Sequence, residues 1–231
     1  MSDIQTYAVL TGDIVASSQR SLEGQRLLPE VVHRVSREVK EHFEEAFHSE
    51  IDVFRGDSWQ MVIIRPKDAL RIGCFIRSRM RSEPSYRHLD SRISIGIGAI
   101  DYLPENNVST GNGQAFRLSG EGLESLPSYS RMSLTFPNQH QAVLPQALNV
   151  IVQLMDLQMQ RWTGKQAEAV SGALINLTQK EIATSWVREP VTQQAISQHL
   201  EGAGWVQMKS GLSYVERVVP RMLNSGKHTS T

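Results

Sequence analysis

The sequence predicts an α+β domain followed by an all-α region. Over residues 1–137, short apolar runs with strand-like composition alternate with segments whose apolar residues recur at helical spacing. From residue 138 onward the pattern is helical only. The single cysteine among 231 residues, Cys74, excludes a disulfide scaffold or a structural zinc site within one chain.

The first region reads as β-α-β-β-α-β-α-β. Its first strand lies within Thr6–Val15 and is expected to end near Thr11, and the helix that follows carries Phe43 and Phe47 on its apolar face. A β-hairpin is predicted over residues 50–64. This order predicts a sheet with helices on one face, arranged in the ferredoxin-like manner.

The remaining boundaries follow from the same patterns. Residues 138–160 form a predicted linking helix, residues 161–224 a second, helical domain, and residues 225–231 a disordered tail. Without a long apolar window or a signal pattern, we expect a cytoplasmic protein with no membrane contact. Residues 161–231 carry 8 Lys and Arg against 5 Asp and Glu, which is compatible with nucleic-acid contact.

Two carboxylates stand out in the α+β region. Asp13 follows the first strand and Asp57 lies at the hairpin tip. If the strand and the hairpin are neighbours, both carboxylates meet at one end of the sheet, where Mg²⁺ or Mn²⁺ could bind them together with a nucleotide phosphate. Backbone N–H groups in the segment that begins at Ile14 could donate to the phosphates. Alternatively, each aspartate is a turn residue chosen for its conformation.

Four stretches in this order resemble class III nucleotidyl cyclases: TGDIVASS, FRGDSW, RISIGIG and GNGQAFRLSGEGLE. Together with the helical C-terminal region, the chain is most similar to SatD-like bacterial proteins. The resemblance implies a palm-like variant of the ferredoxin-like fold, with Asp13 and Asp57 as metal ligands. It also implies a set of nucleotide-binding residues, namely Ile14, Ser17, Ser18, Arg55, Gly56 and Arg117. Ser17 and Ser18 also suit a helix N-cap, and Arg55 an exposed strand position.

The chain departs from the cyclase pattern at the residues that read the base and stabilise the transition state. Val53 stands where those enzymes usually carry a purine-selecting lysine. Those enzymes also carry an Asn on the late helix and, four residues later, an Arg. In one alignment Arg117 and Glu121 stand at these two positions. In the other, Gly113 stands at the Asn position and Arg117 at the Arg position. We therefore expect a site that binds a nucleotide without cyclising it.

The C-terminal region carries two helix-start signals. Thr178 and Glu181 form a capping-box pattern, and Thr192 precedes a second helix. The pattern resembles bacterial helix-turn-helix regulators, although the connection that contains Pro190 is about three residues longer than usual. Residues 204–219 are expected to form a short wing or a final helix. The predicted DNA-binding residues are Gln193, Gln194, Ser197, Gln198 and Lys209.

These features predict a nucleotide-responsive DNA-binding regulator that acts as a homodimer. Three alternatives remain open. The α+β domain could be an active metal-dependent nucleotidyl cyclase or nucleotidyltransferase. The helical region could be a bundle for dimerisation or protein contact instead of a DNA reader. The protein could also be a purely structural adaptor in which both units mediate protein contacts.

Overall fold

The structure is a computed structural model, and it describes residues 5–15, 22–54, 57–86, 89–105, 107–137, 142–187 and 189–225. Within these ranges the chain forms a five-stranded sheet and eight α-helices, an α+β composition as predicted. The strands are β1 (Thr6–Ile14), β2 (Asp52–Phe54), β3 (Ser58–Ile63), β4 (Ser91–Ala99) and β5 (Met132–Thr135). The helices are α1 (Leu22–His42), α2 (Ala69–Ser82), α3 (Gln114–Glu124), α4 (Val143–Gln160), α5 (Gly164–Leu174), α6 (Gln179–Thr184), α7 (Gln193–Gly202) and α8 (Trp205–Ser225).

The sheet has the strand order β2-β3-β1-β4-β5. All neighbouring strands are antiparallel except β4 and β5, which are parallel. The predicted hairpin is confirmed as β2 and β3. Strand β1 lies in the centre, and its residue Asp13 pairs with Ser58 on one side and with Arg92 on the other.

Helices cover both faces of the sheet, so the prediction of helices on one face was wrong. Ala8 and Leu10 of β1 face the main hydrophobic core under α1 and α2. Val9 faces the opposite side, where it packs with Phe116 of α3. Gly96 of β4 allows this close contact, because a Cβ at that position would overlap the α3 backbone.

Three sequence-based boundaries differ from the structure. Strand β1 continues through Asp13 because β3 and β4 pair with it on both sides, and this pairing overrides the turn signal of Gly12-Asp13. Phe47 is not helical, because the segment after α1 pairs with the end of β3: Phe47 bridges Ile63, and the Ile64 N–H donates to the Ala46 carbonyl. Residues 205–225 form helix α8, so the alternative of a wing was wrong.

The hydrophobic core runs without interruption from β1 to α8. Cys74 is buried in it. Helix α2 packs against α5, and α4 covers β5 and contacts α8. Apolar contacts therefore cross the predicted boundary after residue 137, and the division into domains stays a prediction. No helix in the described ranges is long and apolar enough to cross a membrane.

Candidate functional site

One end of the sheet carries a pocket of about 340 Å³ lined by two carboxylates and two arginines. Asp13 comes from β1, Asp57 from the turn before β3, and Arg92 from β4. Arg131 and Ser128 come from the segment between α3 and β5. The pocket therefore gathers four charged side chains from four separate parts of the chain.

The backbone around β1 fixes the relative position of the two aspartates. The Ile14 N–H donates to the Asp57 carbonyl at 3.2 Å, and the Val15 N–H donates to the Asp90 carbonyl at 2.9 Å. Sheet pairing therefore brings Asp13 and Asp57 to one sheet end, where the sequence placed them. Because both N–H groups have acceptors in the chain, neither is available to a phosphate in this conformation.

Arg92 forms a bidentate ion pair with the Asp13 carboxylate. Its Nε donates to Oδ1 at 2.9 Å, and its Nη2 pairs with Oδ2. The hydrogen bond that Arg92 donates to Asp13 raises the pKa of Arg92. Partial burial opposes this rise, and the negative charges of Asp13 and Asp57 add to it. The Arg92 side chain is 34% exposed, so this ion pair lies in reach of water.

The carboxylates are suitable donors for Mg²⁺ or Mn²⁺, which prefer hard oxygen ligands. Arg92 takes one acceptor site on each oxygen of Asp13, so a cation could bind at the remaining sites or in place of Arg92. In the described ranges, no group of three or more His, Cys, Asp or Glu side chains is placed to hold a metal ion. A cation bound by Asp13 and Asp57 would therefore need further ligands from outside these side chains, such as phosphate and water oxygens.

A buried ionic cluster lies behind the pocket. The fully buried Arg77 of α2 donates to both oxygens of Asp90 at 2.9 Å and to Asp156 of α4 at 2.7 Å. Arg81 adds a further bond to Asp90 at 2.9 Å. Burial alone would raise the pKa of Asp90, but the charges and hydrogen bonds of Arg77 and Arg81 lower it. The folded chain therefore favours the charged form of Asp90, and the cluster joins α2, α4 and the start of β4.

Hydrogen bonds connect this cluster to the pocket. Asp156 accepts the backbone N–H of Arg131 at 2.6 Å, which holds the segment that carries the Arg131 side chain. The hydroxyl of Ser91 donates to the Asp13 carbonyl at 2.6 Å, and the Trp59 indole donates to the same hydroxyl at 3.0 Å. These contacts hold the backbone at the pocket from the core side.

The structure does not bring Arg117 to this pocket. Arg117 is exposed on α3, and its guanidinium is 4.0 Å from Asp101, which follows the far end of β4. Arg92 lies near the start of β4, so the length of that strand, roughly 25 Å, separates the two arginines. Four predicted nucleotide-binding residues lie outside the described residues, namely Ser17, Ser18, Arg55 and Gly56.

The predicted DNA-binding residues lie on α7 and α8. The Thr178–Glu181 capping box and the Thr192 cap are both formed. Between α6 and α7 the connection is held by Trp186, which stacks on His199 with ring centroids 5.8 Å apart. Ile196 and Leu200 are buried, so α7 turns its other face outward. On α7 the side chains of Gln193, Gln194 and Gln198 are exposed and Ser197 is half-buried, and Lys209 is exposed on α8.

The sequence interpretation missed Arg92, Arg131 and Ser128. A signal for Arg92 was present, because it precedes the buried series Ile93, Ile95 and Ile97 and so must face the opposite side of the sheet. What the sequence did not provide was the register that puts Arg92 opposite Asp13. Arg131 and Ser128 reach the pocket only through tertiary structure.

No protein-family model matches the chain, and the search of curated proteins found no match.

Proposed function

We propose that this chain is a nucleotide-responsive DNA-binding regulator whose α+β part binds a nucleotide together with Mg²⁺. The observation that carries the proposal is the pocket in which Asp13 and Asp57 lie beside Arg92 and Arg131. Carboxylates suit the cation and arginines suit phosphate oxygens, so this combination fits a metal-bound polyphosphate.

The order of the strands supports the resemblance to the palm-like fold. In β1-α1-β2 and β3-α2-β4, each helix connects two strands that are separated in the sheet by one antiparallel strand. The resulting order β2-β3-β1-β4 is compatible with the ferredoxin-like sheet that we propose. In such a sheet Asp13 and Asp57 would occupy the positions at which the resemblance implies metal ligands.

Binding without cyclisation agrees with the surroundings of β2. Val53, at the place of the expected lysine, is a partly buried apolar residue packed against the main core. It offers no hydrogen bond to a base, so the recognition we propose is mainly of the phosphates. A nucleotide would bind with Arg92 moved from Asp13 to a phosphate oxygen, and this exchange would make the site responsive to its ligand.

Isothermal calorimetry with each of the common nucleoside triphosphates, with and without Mg²⁺, tests the nucleotide part. We expect saturable, Mg²⁺-dependent binding that is lost in Asp13→Ala. Arg37→Gln is the matched control, because Arg37 is an exposed arginine on α1, away from the pocket. Absence of heat with every triphosphate, or equal binding by Asp13→Ala, would contradict this part.

The DNA part is supported by the capped helices α6 and α7, with amide side chains exposed on the second. Glutamine amides can pair with adenine in the major groove. A selection of genomic fragments at low salt should enrich a common sequence, and the double variant Gln194→Ala, Gln198→Ala should lose the preference for it. If no fragment is enriched, α6 and α7 serve another contact.

An active nucleotidyl cyclase or nucleotidyltransferase is the second candidate. Arg92 and Arg131 favour it, because they place positive charge beside the carboxylates where a leaving pyrophosphate needs it. This activity predicts pyrophosphate release from a triphosphate with Mg²⁺ or Mn²⁺, abolished in Asp57→Asn. Binding of a triphosphate without release would leave the regulator as the better account.

A further inference from the structure

Helix α4 carries an exposed apolar stripe, which we call the α4 stripe. Its members are Val143, Ala147, Val150, Leu154 and Leu157. The side chains are well exposed, with 83% for Val143, 52% for Val150, 63% for Leu154 and 50% for Leu157. Their spacing alternates between four and three residues, which is the pattern of a two-helix seam.

The opposite face of α4 is fixed on the sheet, so the helix cannot turn the stripe inward. Leu148, Val152 and Met159 are buried in the main core. Asn149 accepts the Leu134 N–H at 3.0 Å, and Asp156 accepts the Arg131 N–H at 2.6 Å. These two bonds satisfy backbone N–H groups at the edge of β5, and they prevent α4 from rotating about its own axis.

The surface of α4 is also free of charge. Asp156 is its one ionisable residue, and this side chain is buried against Arg77. The polar positions beside the stripe are glutamines. A second copy of α4 has an apolar stripe with the same 4-3 spacing, so the two stripes could pack together without repulsion between like charges. A charged partner would find no oppositely charged side chain on this surface of α4.

We infer that the α4 stripe is a homodimer interface in which α4 of one copy packs against α4 of a second copy. Two apolar surfaces of the same 4-3 period can interdigitate as knobs and holes, and a symmetric pair buries the same residues on both sides. The inference names the surface of the homodimer that the sequence predicts. It requires neither nucleotide nor DNA, so it is tested without them.

Sedimentation velocity of the full chain over a range of micromolar concentrations measures the association. We expect a dimer in the wild type and at least ~10-fold weaker association in Leu154→Glu, because a charge in the seam loses its water. Val206→Glu is the control: Val206 is 70% exposed on α8, outside the stripe, and its substitution should leave association unchanged.

Circular dichroism must show that Leu154→Glu is folded. A wild type that is monomeric at the highest concentration, or a folded Leu154→Glu that associates as strongly as the wild type, would overturn the inference. Either result would leave nucleotide binding by the pocket untouched.

Cysteine pairing gives a second test that keeps the seam apolar. The native Cys74 is buried, so oxidation should not link wild-type copies. Val150→Cys, at the middle of the stripe, should form a disulfide-linked dimer in a parallel or a centred antiparallel pair. Val143→Cys should do so only in a parallel pair. If neither variant crosslinks under mild oxidation, a parallel pair and an antiparallel pair centred on Val150 are both excluded, and the sedimentation result decides whether the stripe joins two copies.

Discussion

Two aspartate–arginine contacts lie at the same end of the sheet and differ in their exposure to water. Arg77 is fully buried and bonds to Asp90 and Asp156, whereas Arg92 is 34% exposed and bonds to Asp13. Both arginines form a bidentate contact with a carboxylate. Their chemistry is the same, and their surroundings are not.

The difference in burial separates a structural contact from an exchangeable one. Breaking the Arg77 contact would leave unpaired charges in a core of low dielectric constant, which is strongly unfavourable. Breaking the Arg92 contact exposes both groups to water in the pocket, where the cost is small and a ligand can offset it. This contrast supports a framework role for Arg77 and the ligand-binding role that we propose for Arg92.

The largest effect is expected for Arg77→Met. Removal of the buried cation leaves Asp156 without its arginine and Asp90 with Arg81 alone, so the free energy of unfolding should fall by about 3–5 kcal/mol. Urea unfolding measures the change. The control is Arg79→Met on the same helix, whose partner Glu38 is partly exposed, with an expected loss of about 1 kcal/mol or less. Equal losses for the two variants would remove the distinction by burial.

The next largest effect is expected on the free energy of unfolding at acidic pH, through the carboxyl group of Asp90. The pKa of Asp90 is lower in the folded chain than its ordinary value of 3.8, so the folded state favours the charged form. The stabilisation is complete above that ordinary value and is lost as the pH falls through the lowered pKa. Unfolding free energies between about pH 5 and about pH 2 should fall more steeply for the wild type than for Asp90→Asn. Parallel curves would show that Asp90 does not contribute.

The reactivity of Cys74 reports on the same framework. Burial raises the pKa of its thiol to about 12, with a smaller opposing effect of Arg77. Alkylation at neutral pH should therefore require opening of the core, and should be slow in the wild type. It should accelerate in Arg77→Met and stay unchanged in Arg92→Gln. Rapid labelling of the native wild type would contradict the burial of this part of α2.

The smallest change in stability is expected for Arg92→Gln. Its ion pair with Asp13 is partly exposed, so the free energy of unfolding should change by about 1 kcal/mol or less. Nucleotide affinity should nevertheless fall, because a phosphate loses a bidentate partner. Unfolding and calorimetry on one preparation measure both quantities. A large loss of stability would place Arg92 in the framework with Arg77.

Local patterns predicted the secondary structure better than the site. The alternating isoleucines of β4 and the caps Thr178 and Thr192 gave the right elements because their signals lie within a few residues. Asp13 was expected after the strand, since its place inside β1 depends on two partner strands. In α2, Arg77 and Arg79 look equivalent in sequence, and only packing decides which of them is buried.

The central claim is that the carboxylates and arginines at the end of the sheet bind a nucleotide with a divalent cation. Calorimetric titration of Asp13→Asn, Arg131→Gln and the control Arg37→Gln with Mg²⁺ and the best-binding triphosphate tests it most directly. We predict that Asp13→Asn abolishes the Mg²⁺-dependent binding, that Arg131→Gln weakens it, and that Arg37→Gln matches the wild type. Equal affinity in all three variants, or no binding by the wild type, would contradict the claim.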